Sequence, residues 1–332
     1  MQPTGDSECY RELEREILTQ PPFAGGTLTF AKRVSATHSN LLEYVFQSRE
    51  GPRVVMVKQQ HESAESEGLT VRECASLRRV RGLLCPSLAQ TVPEPLLILP
   101  ERGILVTTKV PGSSLAEILK KNANHLAAPF RTSVVREIAG RIGNWLRSFQ
   151  DATRAEPISF NAASFLTDLE RQLSKLQEKG FKPGLAQEIL LHASMQGASL
   201  NGRLVSAAAK HGDFIPQNIL IERDGVAVVD FEGFRERESV YEDLGAFLGY
   251  ILVLSERVPY SRRSLNAVRQ GFLNVFLAEE TIDQALLNAY TLKGAVRIIA
   301  DGAAFTRNWS GLGATRKLTK RLMHLASETN PA

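Results

Sequence analysis

The segment His211–Phe234 reads HGDFIPQNILIERDGVAVVDFEGF. Ile219-Leu220-Ile221 and Val226–Val229 are short apolar runs of the strand type. Arg223-Asp224-Gly225 between them is turn chemistry, so the spacing predicts a β-hairpin. Asp213 and Asn218 precede the first strand, and Asp230 ends the second. A hairpin brings those two positions to one end, so an Asp, an Asn and a second Asp converge there.

That donor set suits Mg²⁺, which demands octahedral oxygen geometry and takes one or two carboxylates plus substrate phosphates. Asn218 offers a neutral carbonyl oxygen and Asp230 a carboxylate, which leaves Asp213 to accept a hydroxyl proton. Phosphoryl transfer divides its labour in this way, because positioning and charge neutralisation do most of the catalysis.

The loop HGDFIPQN resembles the catalytic loop of the aminoglycoside phosphotransferase and choline kinase superfamily, in its His-Gly-Asp-x-x-x-x-Asn form. VVDFEGF is similar to that family's metal-binding strand end. Protein kinases carry related motifs. Here, however, Gly212 stands in place of their Arg and Glu232 in place of their Gly, and there is no Ala-Pro-Glu segment or long activation loop. Tyr241-Glu242-Asp243-Leu244, similar to the family's Asp-Leu at the next helix, follows Asp230 closely. These departures point to a small-molecule or glycan kinase. The resemblance spans residues 27–305 and is concentrated in 211–232.

The resemblance implies an α+β, protein-kinase-like two-lobed fold. An N-terminal extension (1–26) would precede a small antiparallel-β, nucleotide-binding N-lobe with one helix (27–110). A larger, mostly α C-lobe (111–332) would carry the catalytic loop, the metal site and the acceptor site. The sequence pattern agrees. GTLTFAKRV, LLEYVFQS, RVVMVKQ and ILVTTKV read as strands separated by turns such as REGP, and one helix is expected over Leu69–Leu84. After Pro111-Gly112 the periods turn helical. Ser114 and Glu117 form a capping box opening SLAEILKK. Residues 129–152 place Val135, Ile138, Ile142, Trp145, Leu146 and Phe149 at three- and four-residue steps. Phe165–Lys179 is a further helix, closed by Gly180 and Pro183, and three more are expected over 240–256, 264–277 and 283–300.

The resemblance also assigns roles. Asp213 is the base, and Asn218 and Asp230 hold Mg²⁺. His211 supports the loop by hydrogen bonding, and Asp243 caps the following helix and steadies the loop. Glu232 either reaches a second metal through water or faces the acceptor. Lys58, which has no packing reason to end an apolar strand, would grip the nucleotide phosphates with Glu73 orienting it. Two alternatives stand beside Glu73: it closes a capping box Thr70–Glu73, and Glu67 pairs with Lys58 instead. Ser39-Asn40 is similar to a Ser/Thr-Asn pattern of the family, so the amides of Ala36–Asn40 and the Ser39 hydroxyl would contact phosphates; a plain β-turn is the competing reading. The Thr108 carbonyl and Val110 amide align with the hinge that meets the base. Backbone contacts leave ATP against GTP open.

The 332 residues, 43% hydrophobic and 23% charged, exclude a disordered, collagen-like or disulfide-miniprotein class. The best apolar stretch, Leu244–Leu254, is well short of the roughly 20 residues a bilayer span needs. The start, MQPTGDSECYRELEREIL, has no signal-peptide pattern, and a cytoplasmic location is expected. Cys9, Cys74 and Cys85 show no metal spacing and read as reduced thiols; His38, His61, His125, His192 and His324 show none either. Net charge is only +4, so no nucleic-acid partner is expected. Arg316, Lys317, Lys320 and Arg321 lie opposite Leu318, Leu322 and Leu325 on a terminal amphipathic helix, read as a solvated face rather than a nucleic-acid or lipid patch. The expected partners are a nucleotide and a small alcohol: an aminoglycoside, amino alcohol, sugar or glycan. Glu232, Glu236, Glu238 and Glu242 are either a site for a cationic acceptor or a solvated stretch mixed with Arg235 and Arg237. The alternative function is a nucleotide-binding scaffold without transfer.

Overall fold

The computed structural model describes residues 6–34, 39–60, 66–223, 225–277, 282–301 and 320–325. Ala36, His38, His61, Asp224, Arg316, Lys317 and Leu318, named above, lie outside the described residues, as does the side chain of Cys9. The chain divides into two compact units, Met1–Pro111 and Gly112–Ala332.

In the first unit helix α1 (Asp6–Leu18) precedes strands β1 (Thr27–Val34), β2 (Ser39–Ser48) and β3 (Gly51–Gln60). Helix α2 (Ser66–Leu83), the short α3 (Pro86–Ala89), β4 (Pro95–Leu99) and β5 (Ile104–Thr108) follow. The strands form one antiparallel sheet in the order β1-β2-β3-β5-β4. Strand periodicity sends alternate residues to opposite faces. Leu42, Tyr44, Phe46, Val55, Val57, Ile104 and Val106 share one face and pack with Leu13, Ile17 and Phe23. The stretch expected as an extension therefore supplies core residues to this sheet. The other face carries Lys58 opposite Leu41, and Met56 opposite Glu43. Strand β4 was not anticipated. It lies at the sheet edge, where the ladder tolerates Pro95.

The second unit opens with β6 (Ser113–Ser114), α4 (Leu115–Asn122), α5 (Ala128–Ala152), β7 (Ala155–Ser159), α6 (Ala162–Glu178) and α7 (Pro183–Leu200). It continues with β8 (Leu204–Lys210), β9 (Ile219–Glu222), β10 (Gly225–Val228), β11 (Arg235–Ser239), α8 (Tyr241–Ser255), α9 (Arg262–Leu277) and α10 (Gln284–Asp301). Ser114 caps α4 by accepting the Glu117 N–H at 3.3 Å, as the capping box requires. The expected hairpin is β9–β10, with Ile219 opposite Val228. Two features went unread. Helix α7 restarts at Pro183, a residue that suits the first turn of a helix. The sheet β11-β8-β7 is built on LVSAAAK, whose buried Ala207, Ala208 and Ala209 carry little strand preference.

An aromatic column anchors the segment between β8 and α8. Phe214 and Phe231 are fully buried; Trp145 stacks on Phe149 (5.4 Å) and on Phe214 (5.9 Å), and Phe231 meets the His211 ring at 4.4 Å. Each buried phenyl contributes about 2–3 kcal/mol of transfer free energy, so the two ends of the hairpin are pinned by packing. No helix among the described residues is long and apolar enough to cross a membrane.

Candidate active site

The loop His211–Asn218 is shaped by bonds between side chains and backbone. Asp243 does not cap α8, whose N-cap is Val240; buried in the first turn, it accepts the His211 N–H on Oδ2 (2.7 Å) and the Gly212 N–H on Oδ1 (3.0 Å) and so steadies the loop. Burial pushes its carboxyl up; His211 and the two amides oppose that shift. His211 Nδ1 accepts the Asp213 N–H (3.1 Å), so the ring proton sits on Nε2 and is donated to the Val229 carbonyl (2.9 Å). This explains His211 as a brace between the loop and the strand end. Gly212 has φ 89°, and a Cβ there would stand 2.2 Å from the Gly233 carbonyl oxygen. A side chain at this position is excluded on both counts.

Asn218 folds back on Asp213. Its Nδ2 donates to the Asp213 main-chain carbonyl (3.0 Å) and to Oδ2 (2.8 Å), which keeps its Oδ1 turned off Asp213. The Val229 N–H donates to the Asn218 carbonyl (3.0 Å), so Asn218 and Asp230 lie at the same end of the hairpin. Asp230 adopts a left-handed conformation, φ 70° and ψ 63°, just before the turn Phe231–Gly233. That is a costly backbone for a residue with a side chain. Carboxylate oxygens of Asp230 and Glu232 lie within 4.8 Å of one another. An amide oxygen with adjacent carboxylates is a hard-oxygen set that fits Mg²⁺.

Sequence reasoning missed Arg297. From α10 its Nη1 donates to the Gly212 carbonyl (2.6 Å) and its Nη2 to Asp213 Oδ1 (3.1 Å). Among the acidic residues after Asp230, Glu238 pairs with Lys210 (3.5 Å), and Glu242 pairs with Lys293 (2.7 Å).

In the first unit Lys58 Nζ, on β3, lies 2.8 Å from Glu73 Oε2, on α2, and Glu73 is buried. Helix α2 starts at Ser66, so Thr70–Glu73 lies inside it and is not a capping box. Ser39 is a buried residue opening β2. Thr108 donates its amide to the Glu94 carbonyl and accepts the Glu94 amide on its hydroxyl, each at 2.9 Å. Those bonds do not use the Thr108 carbonyl, the group assigned to the base. The Lys109 N–H donates to the Val54 carbonyl (3.2 Å), and half-buried Val110 follows the end of β5. Glu43, also missed, is a buried carboxylate with Lys109 at 2.9 Å and Lys32 at 3.5 Å. Burial raises its carboxyl, but the hydrogen bond and charge of Lys109, with Lys32 behind it, more than offset that, and the net shift is downward.

A sequence profile described as the Phosphotransferase enzyme family matches residues 31–248, well over half of the chain. The chain belongs to this phosphotransferase family. It is a phosphotransferase enzyme. No curated protein matches it in sequence. Among solved structures, the phosphotransferase is similar to a choline/ethanolamine kinase family protein from Mesorhizobium loti (15% identity, TM-score 0.55, 96% of this chain and 99% of that one). It is also similar to a thermostable mutant of the aminoglycoside phosphotransferase APH(4)-Ia in its apo form (12%, 0.58, 94% and 98%). A third is the amicoumacin kinase hAmiN in complex with AMP-PNP, Ca²⁺ and Ami (14%, 0.52, 98% and 97%). At these identities the likeness establishes a shared kinase-like fold.

Proposed function

We propose that this phosphotransferase moves the γ-phosphoryl group of ATP or GTP to a hydroxyl of a small molecule, with Asp213 accepting or orienting that hydroxyl. The observation that carries the reading is the Asn218 amide, which holds the Asp213 main chain and carboxylate with one nitrogen and keeps its oxygen for a cation. Asn218 and Asp230 would hold Mg²⁺, with Glu232 beside them. When bound, the ion neutralises charge on the transferring phosphates. Lys58, oriented by Glu73, would take the nucleotide phosphates, and Ser39 would add a hydroxyl. The Thr108 carbonyl and Val110 amide would meet the base. His211 and Asp243 fix the loop and touch no substrate. Solved relatives described with ADP, ATP or AMP-PNP support the nucleotide, and those described with streptomycin, gentamicin or hygromycin B support a hydroxylated acceptor. The division into a nucleotide-binding unit to residue 110 and an acceptor unit from 111, and a cytoplasmic location, belong to this reading.

The test is transfer from γ-labelled ATP and GTP, with Mg²⁺, to aminoglycosides, amino alcohols, sugars and glycan fragments. Labelling confined to one acceptor class, and lost on chelation of the metal, is expected. Turnover that persists in excess chelator would overturn the metal assignment.

A further inference from the structure

The Asp213 carboxylate is held on both oxygens. Asn218 binds Oδ2 from within the loop, and Arg297 binds Oδ1 from α10 while its other nitrogen donates to the Gly212 carbonyl. Gly212 is therefore gripped at its amide by Asp243 and at its carbonyl by Arg297. Those two side chains come from α8 and α10, and the helices meet backbone to backbone. A Cβ on Gly294 would stand 2.2 Å from the Gly245 carbonyl oxygen, and one on Gly249 would stand 2.3 Å from the Ala295 nitrogen. At these glycines the two backbones approach directly, which fixes the register of Asp243 against Arg297.

The residue type matters as well. A guanidinium is a planar fork whose two nitrogens reach two acceptors at once; an ammonium on a flexible stem does not reproduce that fixed pair. The preceding cation on α10, Lys293, is committed elsewhere, to Glu242 at 2.7 Å and Asp168 at 3.2 Å. A carboxylate oxygen has two lone-pair sites, so Asp213 Oδ1 can accept from Arg297 and from an incoming hydroxyl together.

We propose that Arg297 is the positioning residue for Asp213: it locks the carboxylate in the orientation that meets the acceptor hydroxyl, through a bidentate clamp on Gly212 and Asp213. The inference rests on the role proposed for Asp213. A misplaced reacting group costs on the order of 100-fold, and that loss is expected in kcat alone.

The experiment follows Mg-ATP hydrolysis, with water as acceptor, in wild type, Arg297→Gln, Arg297→Lys and Arg297→Ala. Arg297→Gln should lose about 100-fold in kcat with the KM for Mg-ATP within about twofold. Arg297→Lys should fall between it and wild type, and millimolar guanidinium should restore part of the Arg297→Ala rate. Three results would overturn the proposal. The first is wild-type kcat in Arg297→Gln. The second is a KM effect without a kcat effect. The third is a kcat loss that neither lysine nor guanidinium relieves; if Arg297→Gln does not fold, the lysine variant and the guanidinium arm decide. Wild-type protein that turns over no nucleotide, with water or with any acceptor of the panel, would sink the proposed function itself, and this inference with it.

Discussion

The His211–Asn218 loop of the second unit and the Lys58 side chain of the first are held in opposite ways. Around Asp213, three consecutive residues have backbone groups tied to buried or half-buried side chains: Asp243 on two amides, His211 on a third, and Arg297 and Asn218 on carbonyls. Lys58 meets a carboxylate fifteen residues along, Glu73, at 2.8 Å from strand to helix. The loop geometry is thus a product of folding, and damage to it should cost stability and activity together. The ion pair is a side-chain adjustment on a sheet already made by its apolar face, and damage to it should cost activity far more than stability.

Asp243→Ala should sharpen that contrast most. It leaves two buried amides without their acceptor, at about 1–3 kcal/mol each, so chemical denaturation should show a loss of about 4 kcal/mol with transfer abolished. An unchanged denaturation midpoint would break the comparison. Glu73→Gln comes next. It keeps the shape and one hydrogen bond, so stability should fall by only about 1 kcal/mol, while the KM for nucleotide rises on the order of tenfold. A stability loss as large as that of Asp243→Ala would contradict the account. The smallest effect concerns Glu43. Its carboxyl is shifted down in the folded state, so it stabilises above its ordinary value, 4.5, and that stability is lost as pH falls through the lowered value. The melting temperatures of wild type and Glu43→Gln should therefore differ at neutral pH and converge under acid. A gap that stays constant down to about pH 3 would show that Glu43 does not carry this charge interaction.

Legibility followed the same line. The hairpin, the loop with Asp213 and Asn218, and Asp230 could be read because their spacing is local: strand, turn and strand lie in one stretch. Lys58 could be read because a lysine closing an apolar strand is locally out of place. Whether Glu73 or Glu67 pairs with it could not, since the start of α2 had to be known; with the helix opening at Ser66, Glu73 is the partner. Arg297 left no local signal. It lies 84 residues from Asp213, one of two basic residues on a largely apolar helix, and the close packing of α10 on α8 brings it to the loop. The sheet β11-β8-β7 was hidden for a compositional reason, because alanines buried on both sides of a central strand carry no period. Likewise Leu13, Ile17 and Phe23 look like an extension until the sheet face they cover is known.

In the proposed reaction Asp213 serves the acceptor and not the nucleotide. The most direct measurement compares wild type and Asp213→Ala in two assays: γ-phosphoryl transfer to the acceptor found in the panel, and binding of Mg-nucleotide by calorimetry. Transfer should disappear while the nucleotide dissociation constant stays within about threefold. An Asp213→Ala protein that transfers phosphate at the wild-type rate, or that loses nucleotide binding in step with transfer, would contradict it.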